Sequence, residues 1–440
     1  MINFRFKNTY FFSVLLMLLL MISCANKHSL VTKNETSTIE SDSTNSEIQK
    51  NKTIKVAADR TSQYIPLLLG KNIGIISNQT SLLTVLERTE VAPYVMGSKK
   101  VTYHLVDYLH NYNGIEVQSV FAPEHGFRGK ADAGEVIKDG NDIKTGLPII
   151  SLYGKNKKPS QEQLEELDVI VFDIQDVGAR FYTYISTLHY VMEASAEKGI
   201  PVIVLDRPNP NGHYIDGPVL EMEHKSFVGM HPVPVVYGMT IGEYAQMING
   251  ENWLKNGVKC DLTVIELKNY THDSEYSLPI KPSPNLPNDT SINLYPSLCF
   301  FEGTNVSVGR GTELQFQIIG SPLFSKKDNF SFTPTPNFGS KFPKNQDLVC
   351  FGYDLTKNKR LSNLDLSWLL EFNKDYTSFK NAQGYTSKAT LFNSFFTKLA
   401  GTKKLQQQIE QGDKEEKIRK SWQSDLDAFK KIREKYLIYY

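Results

Sequence analysis

The chain has 440 residues, with 49 Lys plus Arg against 48 Asp plus Glu and a formal net charge of +1. That length gives two or three domains and a sizeable core, and the balanced charge, with no long basic run, argues against nucleic acid as a partner. The four cysteines, Cys24, Cys260, Cys299 and Cys350, are too scattered for a disulfide framework or a zinc site; the last three read as buried small hydrophobes.

At the N-terminus, Arg5 and Lys7 precede an apolar run over residues 10–22 that ends at Ser23-Cys24. A positive region followed by an apolar stretch too short to span a bilayer comfortably is a secretory signal. Met21-Ile22-Ser23-Cys24 resembles a bacterial lipobox, which makes Cys24 the expected lipidated first residue; an ordinary cleaved signal is the other reading. Residues 25–55 are mostly Ser, Thr, Asn, Lys and Glu, cannot bury a core, and read as a disordered tether. The expected location is the periplasm of a Gram-negative-type bacterium, with membrane contact through a lipid anchor only.

The folded part opens with a short β run over residues 72–77 that ends in Asn78-Gln79. An amphipathic helix is expected from Val101 to His110, with Val101, Leu105, Tyr108 and Leu109 on one side. A second strand over residues 115–121 ends in Ala122-Pro123-Glu124-His125. A long Gly-rich, charged loop follows to residue 146, then a short strand within residues 147–153. Residues 169–172 form an apolar run too short for a helix, read as a strand buried on both faces. It empties into Asp173, Gln175, Asp176, Arg180 and Tyr182. A helix over residues 184–198 is capped by Gly199, and a further strand over residues 201–205 ends in Asp206, Arg207 and Asn209.

Strands alternating with helices imply a parallel sheet with right-handed crossovers, here a Rossmann-like α/β domain over residues 56–255. In such a sheet all four polar strand ends lie on one edge, where ligands bind. Thr240 and Glu243 form a capping box that opens another helix. From residue 256 to 440 we expect a smaller α+β C-terminal domain, with an active-site cleft between the two. It contains an alternating strand over residues 261–267, a proline-rich stretch from Lys281 to Asn288, and a segment bearing Glu302, Asn305 and Arg310 that faces the crevice. A helical stripe of Ile418, Trp422, Leu426, Phe429 and Ile432 closes it as core.

No G-x-G-x-x-G follows a strand, and Walker, H-E-x-x-H and G-x-S-x-G motifs are lacking, so no cofactor and no metal are expected. The chemistry then rests on carboxylates: Glu124, Asp173, Asp176, Asp206 and Glu302. Carboxylates beside Arg and amide groups suit glycosidic cleavage, which needs one carboxyl to protonate the leaving oxygen and a second group at the anomeric carbon or on water. Glu124 is the first choice for the acid: Pro123 stiffens its backbone, and a buried strand delivers it to a site where desolvation would raise its pKa. Asp173 or Asp176 is the expected partner. Asp206 beside Arg207 is either catalytic or a loop-holding ion pair. Asn78, His125, Gln175, Tyr182, Asn209 and Asn305 complete the expected binding set. Arg128, Arg180, Arg207 and Arg310 exceed what an uncharged sugar requires and point to an anionic substrate.

Taken together, Phe121-Ala-Pro-Glu-His-Gly-Phe-Arg-Gly129, Ser151-Leu-Tyr-Gly154, Asp173-Ile-Gln-Asp-Val-Gly-Ala-Arg-Phe-Tyr-Thr-Tyr184, Val204-Leu-Asp-Arg-Pro-Asn-Pro210, Pro282-Ser-Pro-Asn285 and Phe301-Glu-Gly-Thr-Asn305 through Gly309-Arg-Gly-Thr312 resemble the bacterial exo-β-N-acetylmuramidases (the NamZ/YbbC-like family). The resemblance covers nearly all of the chain after the tether. It implies a Rossmann-like domain and a smaller C-terminal domain flanking a cleft, Glu124 as a catalytic residue, and release of N-acetylmuramic acid from the non-reducing ends of peptidoglycan-derived muropeptides or disaccharides. The lactyl carboxylate of that sugar would account for the arginines. A non-catalytic periplasmic amino-sugar-binding lipoprotein is the alternative; an amidase or esterase on the same polymer is a third reading, which the lack of a nucleophile motif disfavours.

Overall fold

The computed structural model describes residues 53–92, 95–124, 126–129, 139–324, 329–383 and 390–440. The signal segment with Cys24, nearly all of the tether, and His125 lie outside the described residues. From Thr53 onward the chain is one compact unit.

Seven strands make the central sheet: β1 (Asn72–Ser77), β4 (Glu116–Ala122), β5 (Gly140–Asn141), β6 (Pro148–Ser151), β7 (Val169–Asp173), β8 (Val202–Leu205) and β9 (Leu262–Ile265). Their order is β5-β6-β4-β1-β7-β8-β9. All neighbours run parallel except β5 against β6. The sequence of β7, Val-Ile-Val-Phe-Asp, is buried at every position, as expected for a parallel strand covered on both faces. Apolar clusters fill the two sides. One contains Ile73, Ile75, Val120, Val169 and Val171; the other starts at Ile170 and Phe172 and runs without a break into Trp422, Leu426 and Phe429 of the C-terminal part.

Two expectations are corrected. Residues 101–104 are not helical: they end β3 (Val95–His104), which pairs antiparallel with β2 (Leu82–Ala92). The helix is only Leu105–His110. Val101-Thr-Tyr is β-branched and aromatic, and cross-strand partners (Val85 opposite Val101, Leu83 opposite Tyr103) satisfy a period of two that overlaps the helical one. Second, the strand after Cys260 does not begin the C-terminal domain. As β9 it bonds along β8 and completes the N-terminal sheet, so a boundary at residue 256 would cut an edge strand from its sheet. The helix expected over residues 184–198 is present (Tyr184–Lys198), with Gly199 at φ 80 as its C-cap, and so is the capping box of Thr240 and Glu243.

The smaller part holds an antiparallel sheet of Ile318–Ser321, Cys350–Asp354 and Ser331–Phe332, with helices packed beside it. A buried arginine ties it to the larger part. Arg180 has no exposed surface. Its Nη1 donates to the carbonyls of Pro218 (2.8 Å) and Val233 (2.7 Å), and its Nη2 to those of Leu399 and Ala400 (both 2.8 Å). The latter two close the helix Ser394–Ala400, whose carbonyl end favours a cation. Desolvation lowers the guanidinium pKa to about 9; the four carbonyls pair both Nη groups, while the buried Nε has no hydrogen-bond partner. Gly401 follows at φ 73, where a Cβ would stand 2.7 Å from Arg180 Nη2.

Replacing Arg180 by Leu takes the guanidinium from the buried carbonyls of Pro218, Leu399 and Ala400, while Val233 O keeps the N–H of Leu220, so a loss of about 3 kcal/mol or more is expected. Denaturant unfolding of the two proteins checks this; an unchanged midpoint would show that the clamp contributes nothing.

Candidate active site

Directly beyond β4, Glu124 faces a small pocket whose walls are Phe181, Tyr182, Thr183 and Tyr184 from the loop after β7, Ser283, Asn285 and Leu286 from the proline-rich stretch, and Tyr295, Arg310 and Phe316 from the C-terminal part. The pocket thus sits at the carboxyl edge of the sheet, where the strand-end argument placed it, and both halves of the chain contribute.

Glu124 is held by hydroxyls. Thr183 Oγ1 donates to Oε2 at 3.0 Å, and Tyr153 hydrogen-bonds the same carboxyl group. A hydroxyl donates to a carboxylate or accepts from a carboxylic acid, so these contacts survive when Glu124 gains or loses a proton. The phenols around it stay protonated. Burial first, then the Glu124 charge, pushes the Tyr153 and Tyr184 hydroxyls up, and Tyr295 lies far above its ordinary value through burial. Asn78 Nδ2 donates to the Tyr184 hydroxyl at 2.9 Å, and Tyr182 donates to the Pro282 carbonyl at 2.7 Å. Tyr182 meets Tyr184 and Tyr295 edge to face, with centroids 4.9 and 5.8 Å apart.

The opposite wall carries basic groups. Arg310 Nε donates to Glu302 Oε1 at 2.6 Å. Lys344, whose Nζ donates to the carbonyls of Phe301 (2.9 Å) and Thr304 (2.6 Å), faces the same carboxylate. Burial opposes ionisation of Glu302, yet Arg310 and Lys344 hold its carboxyl below the usual value. Two basic groups thus face one carboxylate, although burial lowers Lys344, and of the three only Arg310 lines the pocket. Beside it, Asn285 is 1% exposed; its Nδ2 donates to Gly339 O at 2.7 Å, while its Oδ1 lacks a hydrogen-bond partner.

Several expected site residues lie away from the pocket. Asp173 is fully buried in a two-pronged pair with Arg207 (2.6 and 2.8 Å) and also accepts, through its carbonyl, from Ser81. Fully buried and paired with a guanidinium, Asp173 does not line the pocket, so the reading of Asp173 as catalytic is replaced by a structural one, and Arg207 does not line the pocket either. Asp176 accepts from the backbone N–H of Gly178 (2.6 Å) and from Tyr237. Burial raises it to about 6, but its job is to hold a turn in which Gly178 has φ +76 and a Cβ would stand 2.3 Å from Asn209 Oδ1. Gln175 bridges Asp176 O and Pro208 O (both 2.7 Å), and Asn209 binds Met239 O at 2.8 Å. Asp206 accepts from Thr240 (2.7 Å), Tyr439 (2.7 Å) and Gly242 N (2.8 Å). Arg128 spans Asp107 (3.0 Å) and Asp142 (2.7 Å). Asn305 accepts from Asn345 through its carbonyl and does not line the pocket. Asn78 acts through Tyr184. Of the four arginines only Arg310 lines the pocket, so the charge argument stands on one guanidinium. The sequence reading passed over Thr183, Tyr153, Asn285 and Tyr295. Tyr153, Thr183 and Asn285 lie within the quoted motifs, but neutral side chains carry no titration signal that would single them out.

Comparison with solved structures gives the class first: the chain has the fold of the DUF1343 proteins. Two crystal structures from Bacteroides fragilis NCTC 9343 superpose with TM-scores of 0.75 and 0.71, at 40% and 28% identity, each covering 88% of this chain and 99% of the other. The chain belongs to the exo-β-N-acetylmuramidase NamZ family: the family's N-terminal part matches residues 73–290 and its C-terminal part residues 293–439. It is 39% identical over 401 residues to the peptidoglycan β-N-acetylmuramidase NamZ of Bacillus subtilis (strain 168), covering 86% of this chain and 89% of that one.

Burial raises Asp206 to about 7, above the 3.8 of an unstructured chain. The folded state therefore binds the extra proton between those values, and stability from this group falls as pH rises through that window. Asp206→Asn is expected to flatten the fall in unfolding free energy between pH 4 and pH 7, as about one titrating group fewer, read from denaturant midpoints across that range. An unaltered slope would contradict the assignment.

Proposed function

We propose that the protein is an exo-acting β-N-acetylmuramidase, a glycoside hydrolase that releases N-acetylmuramic acid from the non-reducing ends of peptidoglycan fragments during cell-wall turnover and recycling. The observation that carries the reading is the pairing, in one aromatic pocket, of Glu124 on hydroxyl partners with Arg310 on the opposite wall. In this reading Glu124 gives its proton to the leaving glycosidic oxygen. Arg310 receives the lactyl carboxylate in the bidentate manner of a guanidinium. The protonated phenols and the free acceptor of Asn285 bind hydroxyl and acetamido groups. Among the described residues that line the pocket Glu124 is the one carboxylate, which leaves attack on the anomeric carbon, as the bond to the leaving oxygen breaks, to water directly or to the substrate's own acetamido oxygen followed by water.

The Bacillus relative bears the name of a hydrolase, which favours catalysis over a non-catalytic sugar-binding role. The lipobox at Cys24 and the polar segment after it support export, lipid anchoring and a periplasmic site of action, with the tether letting the folded part reach away from the membrane. The substrate class then is a peptidoglycan-derived disaccharide or fragment whose terminal lactyl group carries no peptide, since an amide-linked lactyl group offers Arg310 no carboxylate, and the membrane is touched through the lipid only.

Glu124→Gln is expected to lower kcat on a chromogenic β-N-acetylmuramide by roughly 10²–10⁴-fold while KM changes little. The unaltered protein should cleave this substrate far faster than the matching β-N-acetylglucosaminide. Turnover of neither substrate would remove the proposal, and turnover of the second alone would remove the role given to Arg310.

A further inference from the structure

A tight turn is hydrogen-bonded to Asn285 in the wall of the pocket, with one exposed aromatic ring at its tip and a second two residues beyond it. Asn337 and Ser340 exchange backbone hydrogen bonds of 3.1 Å, leaving Phe338 and Gly339 at the tip. Gly339, at φ +98, accepts from Asn285 Nδ2 at 2.7 Å, and a Cβ there would stand 2.9 Å from Pro284. The flanks of the turn are stitched to the segment that carries Arg310. Thr335 N donates to Gly311 O at 2.9 Å, Asn337 Nδ2 to Thr312 O at 3.0 Å, and Pro343 packs so closely that a Cβ on Gly311 would come within 2.6 Å of it.

Phe338 is therefore one residue from the contact with Asn285, and Phe342 is one residue from the packing against Gly311, beside Arg310. Both rings face solvent, Phe338 at 63% and Phe342 at 90% exposure. Exposed aromatic rings on one short segment cost solvation and mark a surface that takes a partner. An exo-acting pocket lined by Tyr182, Tyr295 and Arg310 holds the terminal sugar and leaves the rest of the glycan outside it, and this turn is bonded to the Asn285 and Arg310 segments of its wall.

We infer that Phe338 and Phe342 form the platform for the saccharide unit beyond the scissile bond, with the apolar C–H face of that sugar lying on the rings. The inference rests on the hydrolase reading above. Because both side chains are exposed and make no core contact, their removal leaves the fold intact.

The test compares the unaltered protein with the Phe338→Ala/Phe342→Ala double variant on the disaccharide of N-acetylmuramic acid β-1,4-linked to N-acetylglucosamine. Inhibition by free N-acetylmuramic acid, which fills the pocket alone, is measured beside it. The expected result is a loss of about tenfold in kcat/KM on the disaccharide, with the inhibition constant of the free sugar acid unchanged. A disaccharide kcat/KM equal to that of the unaltered protein overturns the inference. So does an inhibition constant that worsens in step with it, since the turn would then act on the pocket and not on the leaving sugar. A loss confined to peptide-bearing fragments assigns the rings to the peptide and also overturns it. If the unaltered protein cleaves neither the disaccharide nor a simple muramide, it is the functional reading that has failed, and this inference falls with it.

Discussion

Arg180 is the interaction on which the rest of the structure depends. A guanidinium buried away from water is tolerated only when its donors are paired. Here four carbonyls pair its two Nη groups, and they come from three places: Pro218, Val233 and, more than two hundred residues further along the chain, the end of a helix. The residues that follow it immediately, Phe181 to Tyr184, line the pocket and supply the hydroxyl that holds Glu124. The clamp therefore does two things at once: it joins the smaller part to the Rossmann-like part, and it fixes the register of the aromatic wall against the acid.

Below the pocket lies a second layer of polar groups that looks catalytic in sequence and is structural in space. Asp173 with Arg207, Asp176 with Tyr237 and Gly178, and Asp206 with Thr240 and Tyr439 each satisfy the turn that ends a parallel strand. Such turns expose backbone donors and acceptors where the sheet stops, and buried ones need partners. Glu124 differs in its place: of these carboxylates it alone lines the pocket, whereas Asp173, Asp176 and Asp206 are buried within the turns they hold.

Much of this was legible beforehand. The apolar runs of β1, β7 and β8, the helix capped by Gly199 and the capping box of Thr240 and Glu243 have strong local signals, and the strand-end rule put Glu124 at the edge of the right crevice. Arg310 and Tyr182 were also found. What escaped depends on partners distant in the chain. Asp173 and Arg207 are 34 residues apart, and Arg180 reaches carbonyls 219 and 220 residues away, so charge and position looked like a site while the pairing was hidden. The β2–β3 hairpin was missed because Val101, Leu105 and Leu109 fit a helix as well as Val101 and Tyr103 fit a strand, and only the facing residues Val85 and Leu83 decide between them. Asn285 and Thr183 matter through where the fold puts a neutral oxygen, which residue type alone does not announce.

The most direct test of the central claim is a crystal structure of the Glu124→Gln protein with N-acetylmuramic acid bound. The account predicts the sugar among Tyr182, Tyr184 and Tyr295, its lactyl carboxylate on Arg310 and its anomeric oxygen at residue 124. Sugar bound instead in the groove of Tyr276, Asn293 and Arg360, or bound in the pocket with its carboxylate turned away from Arg310, would contradict it.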